Sequence, residues 1–104
     1  MNIIKCIAEK IEEELDDAKA YVELAIKWKE EYPEAAEMFN DLSVEEMGHV
    51  DILHRAVNGI IQNYRAKHGE PPKEMMTLYN YLHERHMATA TQIKVMQGMY
   101  KMQE

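Results

Sequence analysis

A carboxylate and an imidazole three residues apart on a helix lie on one face, so an oxygen and a nitrogen can reach one cation. Glu46-Met-Gly-His49 has that spacing, and Glu14 stands about thirty residues before it. Glu-x-x-His, joined by a Glu from each facing helix, is the ligand pattern of di-iron and di-manganese carboxylate sites in helical bundles. A lone Glu-x-x-His arises by chance on many exposed helices. One centred in an apolar stripe, preceded by another stripe Glu, is far more specific. Carboxylate oxygens with imidazole nitrogen suit iron(II) or manganese(II) better than a soft metal.

These residues need helices to position them, and the sequence supplies three. The chain has three prolines and four glycines. Pro33 follows Glu-Glu-Tyr, and Gly69 opens Gly-Glu-Pro-Pro. Proline is tolerated in a first helical turn but not inside a helix, so both marks separate helices. Between them apolar residues recur at three and four rather than two. The pattern predicts helices over about 3–31, 34–68 and 72–102. No strand-like alternation and no linker divides the chain, so 1–104 reads as one helical domain.

Each helix carries a heptad-like seam. The first runs Ile4, Ile7, Ile11, Glu14, Ala18, Tyr21, Ala25, Trp28; the second Phe39, Leu42, Glu46, His49, Leu53, Ala56, Ile60. The third runs Met75, Tyr79, Leu82, His86, Thr89, Ile93, Met96, Tyr100. Such stripes pack at shallow angles into bundles. The expectation is an all-α, three-helix antiparallel unit. Glu14, Glu46, His49 and His86 stand where the seams ask for Leu or Ile. A buried carboxylate must be neutralised, paired or bound to a cation. With antiparallel helices and aligned centres, the four side chains converge on one level of the core.

Composition narrows the function. The 104 residues hold 12 Lys and Arg against 19 Asp and Glu, a formal charge of −7. That balance argues against a nucleic-acid binder, which would show a basic stripe, and against an anionic membrane surface. No run approaches the roughly 20 apolar residues that span a bilayer. The single cysteine, Cys6, fits a reducing compartment and has no His or Asn near it in sequence to make it a nucleophile. The opening Met-Asn-Ile-Ile-Lys-Cys lacks the apolar stretch of a secretion signal, so a cytoplasmic protein is expected. A chain this short buries a modest share of its surface, which leaves apolar surface for a partner.

Glu14 followed by Tyr21, then Glu45-Glu46-Met-Gly-His49, resembles the first half of the ferritin-like superfamily, rubrerythrins most closely. The resemblance covers about residues 4–60. It implies that Glu14, Glu46 and His49 bind iron, two ions per site, with Glu46 bridging; manganese or zinc are the other candidates. It also implies ferroxidase-type oxidation of Fe(II), or handling of oxygen or peroxide. The chain departs from the full pattern in having three helices and no second Glu-x-x-His. Encapsulated ferritins share that departure and double a two-helix half-site across a dimer. By that analogy a homodimer or higher homo-oligomer completes the ferritin-like bundle and its di-metal centre. His86 is the residue of the third helix to add as an extra ligand, ahead of Glu84, which lies to one side of the seam. Peroxide reduction in the rubrerythrin manner would need a separate electron donor, because four cysteines are required and one is present.

The competing reading is a non-enzymatic oligomeric helical adaptor, whose polar seam residues fix register and partner choice. A solitary seam His is more often a hydrogen-bonded core residue than a ligand, and His86 alone invites that reading. Glu45, Asp51 and His54 are expected at the surface. Tyr21 and the nine Met residues are expected to be packing groups.

Overall fold

The computed structural model describes residues 2–102 and consists of three helices, with no strand among the described residues. They are α1 (Asn2–Trp28), α2 (Pro33–His68) and α3 (Lys73–Met102). The all-α, three-helix unit expected from the pattern is therefore present, and residues 1, 103 and 104 of the predicted domain lie outside the described residues. The first helix ends about three residues earlier than its periodicity suggests. Pro33 is the cause: a residue before proline is pushed out of the α region, and Tyr32 sits at φ −135° and ψ 72°. The Tyr32 N–H donates to the Trp28 carbonyl at 2.8 Å, and Tyr32's own carbonyl accepts from Ala36 at 2.9 Å. At the other end of α2, Gly69 adopts φ 79°, and its N–H donates to the Arg65 carbonyl at 3.1 Å. That backbone shape favours glycine.

The buried rows are Ile4, Ala8, Ile11, Leu15, Ala18, Val22 and Ala25 on α1, and Ala36, Asn40, Ser43, Met47, Val50, Val57 and Ile61 on α2. On α3 they are His86, Ala90, Ile93 and Tyr100. The α3 row matches the expected seam closely. On α1 and α2 the core row is displaced by about one residue from the expected seam. Ile7, Glu14, Tyr21 and Trp28, with Phe39, Leu42, Glu46, Leu53 and Ile60, form a neighbouring half-buried row. Glu14 and Glu46 thus stand at the edge of the core rather than within it, and His49 is exposed. Full burial of Ile11, Leu15, Val50 and Ile93 contributes about 1.5–3 kcal/mol for each side chain.

Polar ties fix α3 against the α1–α2 pair. The Ser43 hydroxyl, fully buried, donates to the Ala18 carbonyl at 2.7 Å. It accepts from Gln97 Nε2 at 2.9 Å, so one hydroxyl joins all three helices. Near the bundle's end, Tyr100 donates to Glu37 Oε2 at 2.9 Å. Lys29 Nζ donates to the Tyr100 carbonyl and lies 4.6 Å from the centre of its ring. Burial and the neighbouring Glu37 push the Tyr100 phenol up to about 12. The result is a rod with extents of 56 × 18 × 18 Å.

Candidate metal centre

Helical spacing brings Glu46 and His49 to one face of α2, and antiparallel packing sets Glu14 of α1 beside them. His49 Nδ1 lies 3.5 Å from Glu14 Oε2 and 3.6 Å from Glu46 Oε1. One ligand atom from each residue falls within 4.8 Å of the other two. Among the described residues this is the one such group of three His, Cys, Asp or Glu side chains. The side chains of Glu14 and Glu46 are 27% and 18% exposed, and that of His49 is 54% exposed. The cluster has an inner, carboxylate-lined side and an outer side that opens through the imidazole.

The donors fit a hard or borderline divalent cation. The 3.5–3.6 Å separations exceed an ordinary hydrogen bond. Two donors about 2.0–2.2 Å from one ion are themselves about 3.0–3.5 Å apart, close to the spacing seen. Glu46 Oε2 is buried with no hydrogen-bond partner. A carboxylate oxygen left so costs on the order of 1–3 kcal/mol or more, and a cation would satisfy it. Two carboxylates around one imidazole also leave net negative charge when the imidazole is neutral.

His86 does not join this group. It is buried at 5% exposure on α3, where Glu12, Asp16, His83 and Arg85 act on it electrostatically and burial lowers its affinity for a proton. Glu14 points roughly 160° round α1 from Glu12 and Asp16, so α3 covers one groove of the α1–α2 pair and the carboxylates line the other. The expected convergence of all four seam residues is thereby corrected: three meet, and His86 faces elsewhere. Its inward orientation was legible from the seam; the flank it faces depends on how α3 is rotated. Cys6 is exposed, as are Glu45, Asp51 and Glu84. Tyr21 stacks on Phe39 with ring centres 6.4 Å apart, a packing role.

His54, expected at the surface, is instead half-buried, with its ring 5.1 Å from that of His83 on α3. The His83/His86 spacing of three was a visible signal on α3; nothing in the sequence pointed to the α2 residue it meets.

No helix among the described residues is long and apolar enough to cross a membrane. A family model described as Rubrerythrin matches residues 5–104. No curated protein and no solved structure matches the chain.

Proposed function

Because the chain belongs to the rubrerythrin family of the ferritin-like superfamily, we propose that it is a di-iron carboxylate protein in which Glu14, Glu46 and His49 hold the metal. The observation that carries this reading is the convergence of those three donors around a buried, unpartnered Glu46 oxygen. Glu46 turns Oε1 toward His49 while Oε2 stands free, which suits a carboxylate that bridges. Glu14 and His49 are the terminal ligands. His49 Nδ1 faces both carboxylates, so ligation there would use the neutral tautomer whose ring proton sits on Nε2. When bound, a pair of iron ions supplies the electrons for reduction of oxygen or peroxide, which makes ferroxidase-type oxidation of Fe(II) the proposed activity. Manganese or zinc would bind the same donors without that turnover. As only His86 was an additional ligand candidate and it faces the other groove, the metal set is Glu14, Glu46 and His49.

Three donors are half of a two-metal set, and the second half is proposed to come from another copy of the chain across a two-fold axis. The half-buried row beside the donors supports this. Leu42, Leu53 and Ile60 on α2 and Ile7 and Tyr21 on α1 continue, at helical spacing, the half-buried row that Glu14 and Glu46 occupy. A second α1–α2 pair laid on that row would turn the half-bundle into a four-helix one.

The test is iron content per chain after anaerobic loading, on protein purified without a metal-affinity tag, with mass measured in solution. About one iron per chain in a dimer, lost in Glu46→Gln, is the expected result. Equal iron in a folded Glu46→Gln variant would remove the assignment. No iron in either protein would leave the helical adaptor.

A further inference from the structure

On the opposite groove of the α1–α2 pair, a second group of potential ligands meets that the carboxylate site does not use. His54 of α2 and His83 of α3 face each other at 5.1 Å between ring centres, with ring planes at 71°. His54 Nε2 and His83 Nδ1 are both buried and neither has a hydrogen-bond partner. Two orphaned ring nitrogens in one helix interface cost on the order of 1–3 kcal/mol each unless something binds them. His86 lies one turn further along α3, buried, and interacts electrostatically with His54 and His83.

We propose that His54 and His83 form a separate two-imidazole site for a borderline divalent cation, water completing its coordination and His86 adjoining it outside ligand reach, zinc being the ion the donor pair suits best. An ion about 2.0–2.1 Å from an imidazole nitrogen lies about 3.2 Å from the ring centre. Two rings at a tetrahedral angle are then about 5.2 Å apart between centres. The observed 5.1 Å separation matches with little movement of either helix. His83 is held in place by Tyr79, whose ring stacks on it at 5.8 Å. Zinc requires neutral imidazoles, and burial lowers the proton affinity of His54 and His86, each aided by neighbouring histidines. Of the charged groups that face them, Asp51 from α2 and Glu12 and Asp16 from α1 favour a cation, and Arg85 from α3 opposes it. Imidazole suits zinc, copper, nickel and iron, whereas carboxylate oxygens suit harder ions such as manganese. The two sites differ in donor set, and this one stands or falls independently of the iron reading. A water molecule linking the two nitrogens is the alternative occupant.

The test uses the full chain, stripped with chelator and titrated with zinc, and with cobalt(II) as a coloured substitute. Glu46→Gln removes the carboxylate site and isolates the histidines. In that variant we expect about one zinc per chain, a rise in melting temperature with zinc, and the strong visible cobalt bands of a four-coordinate site. Added to Glu46→Gln, the pair His54→Gln and His83→Gln should weaken zinc binding at least tenfold, whereas the same pair in the parent chain should leave iron uptake at the carboxylates intact. Folding of each variant is followed by circular dichroism. Absence of zinc binding and of any melting shift in folded Glu46→Gln overturns the site and leaves the bridging water. Zinc affinity unchanged when the two histidine substitutions are added to Glu46→Gln overturns it equally. Should that combined variant fail to fold, the cobalt spectrum of Glu46→Gln decides alone: weak, six-coordinate bands refute the proposal.

Discussion

Replacing Ser43 with alanine should loosen the attachment of α3 to the rest of the bundle, by an amount the structure allows to be worked out. The Ser43 hydroxyl is fully buried, donates to Ala18 at 2.7 Å and accepts from Gln97 at 2.9 Å. Alanine removes both bonds but little volume. The Ala18 carbonyl keeps its place in the hydrogen-bond ladder of α1, so the main loss falls on the half-buried Gln97 amide. At about 1 kcal/mol for each bond, the variant should lose about 1–2.5 kcal/mol. For a chain of this size that is a fall of roughly 5–15 °C in melting temperature. Urea unfolding at fixed protein concentration, with metal removed, measures it; the midpoint should fall with little change in slope. Ser43→Ala with Gln97→Leu should recover much of the loss, because replacing both partners by apolar groups leaves nothing unsatisfied. A Ser43→Ala protein as stable as the parent would refute the idea that this hydroxyl couples the three helices. So would a double variant weaker than the sum of the singles.

Three further outcomes follow from local geometry and burial. A Cβ at Gly59 meets nothing within 4 Å, so Gly59→Ala should raise stability by roughly 0.5–1 kcal/mol; Gly69 holds φ 79°, so Gly69→Ala should lower it by about 1 kcal/mol or more despite equally open space. Paired melting curves check both signs. In the metal-free chain, His54 and His86 bind protons less readily folded than unfolded, so the unfolded state takes up more protons as pH falls. Their contribution is intact above the ordinary histidine value of 6.5 and is lost as pH drops through it toward the lower folded values. The urea midpoint should fall between pH 7 and pH 5, and fall less in His86→Gln; an identical fall in the variant would exclude His86 from the effect.

Much of this was legible in the sequence because it depends on local rules. Pro33 and Gly69 separate the helices, and Glu46 and His49 share a face through spacing alone. Their meeting with Glu14 needed only that α1 and α2 run antiparallel with their centres aligned. The depth of the site was less legible. A row such as Ile4, Ile7, Ile11, Glu14 mixes two adjacent stripes, one in the core and one at its edge, and both are apolar enough to look alike. What separates them is which groove α3 fills. That choice also decided His86 and brought His54 to His83, since rotating α3 moves its histidines between grooves without changing any spacing along the chain.

The division between the grooves also bears on the order in which the protein is made. All three donors of the carboxylate cluster lie on α1 and α2, and α1 packs more extensively against α2 than against α3. The helical hairpin that holds them is complete in sequence before Lys73 begins α3. Synthesis proceeds from the N-terminus, so the hairpin leaves the ribosome before α3 does. The carboxylate cluster therefore needs no residue of the last helix, whereas the His54–His83 pair exists only after that helix docks.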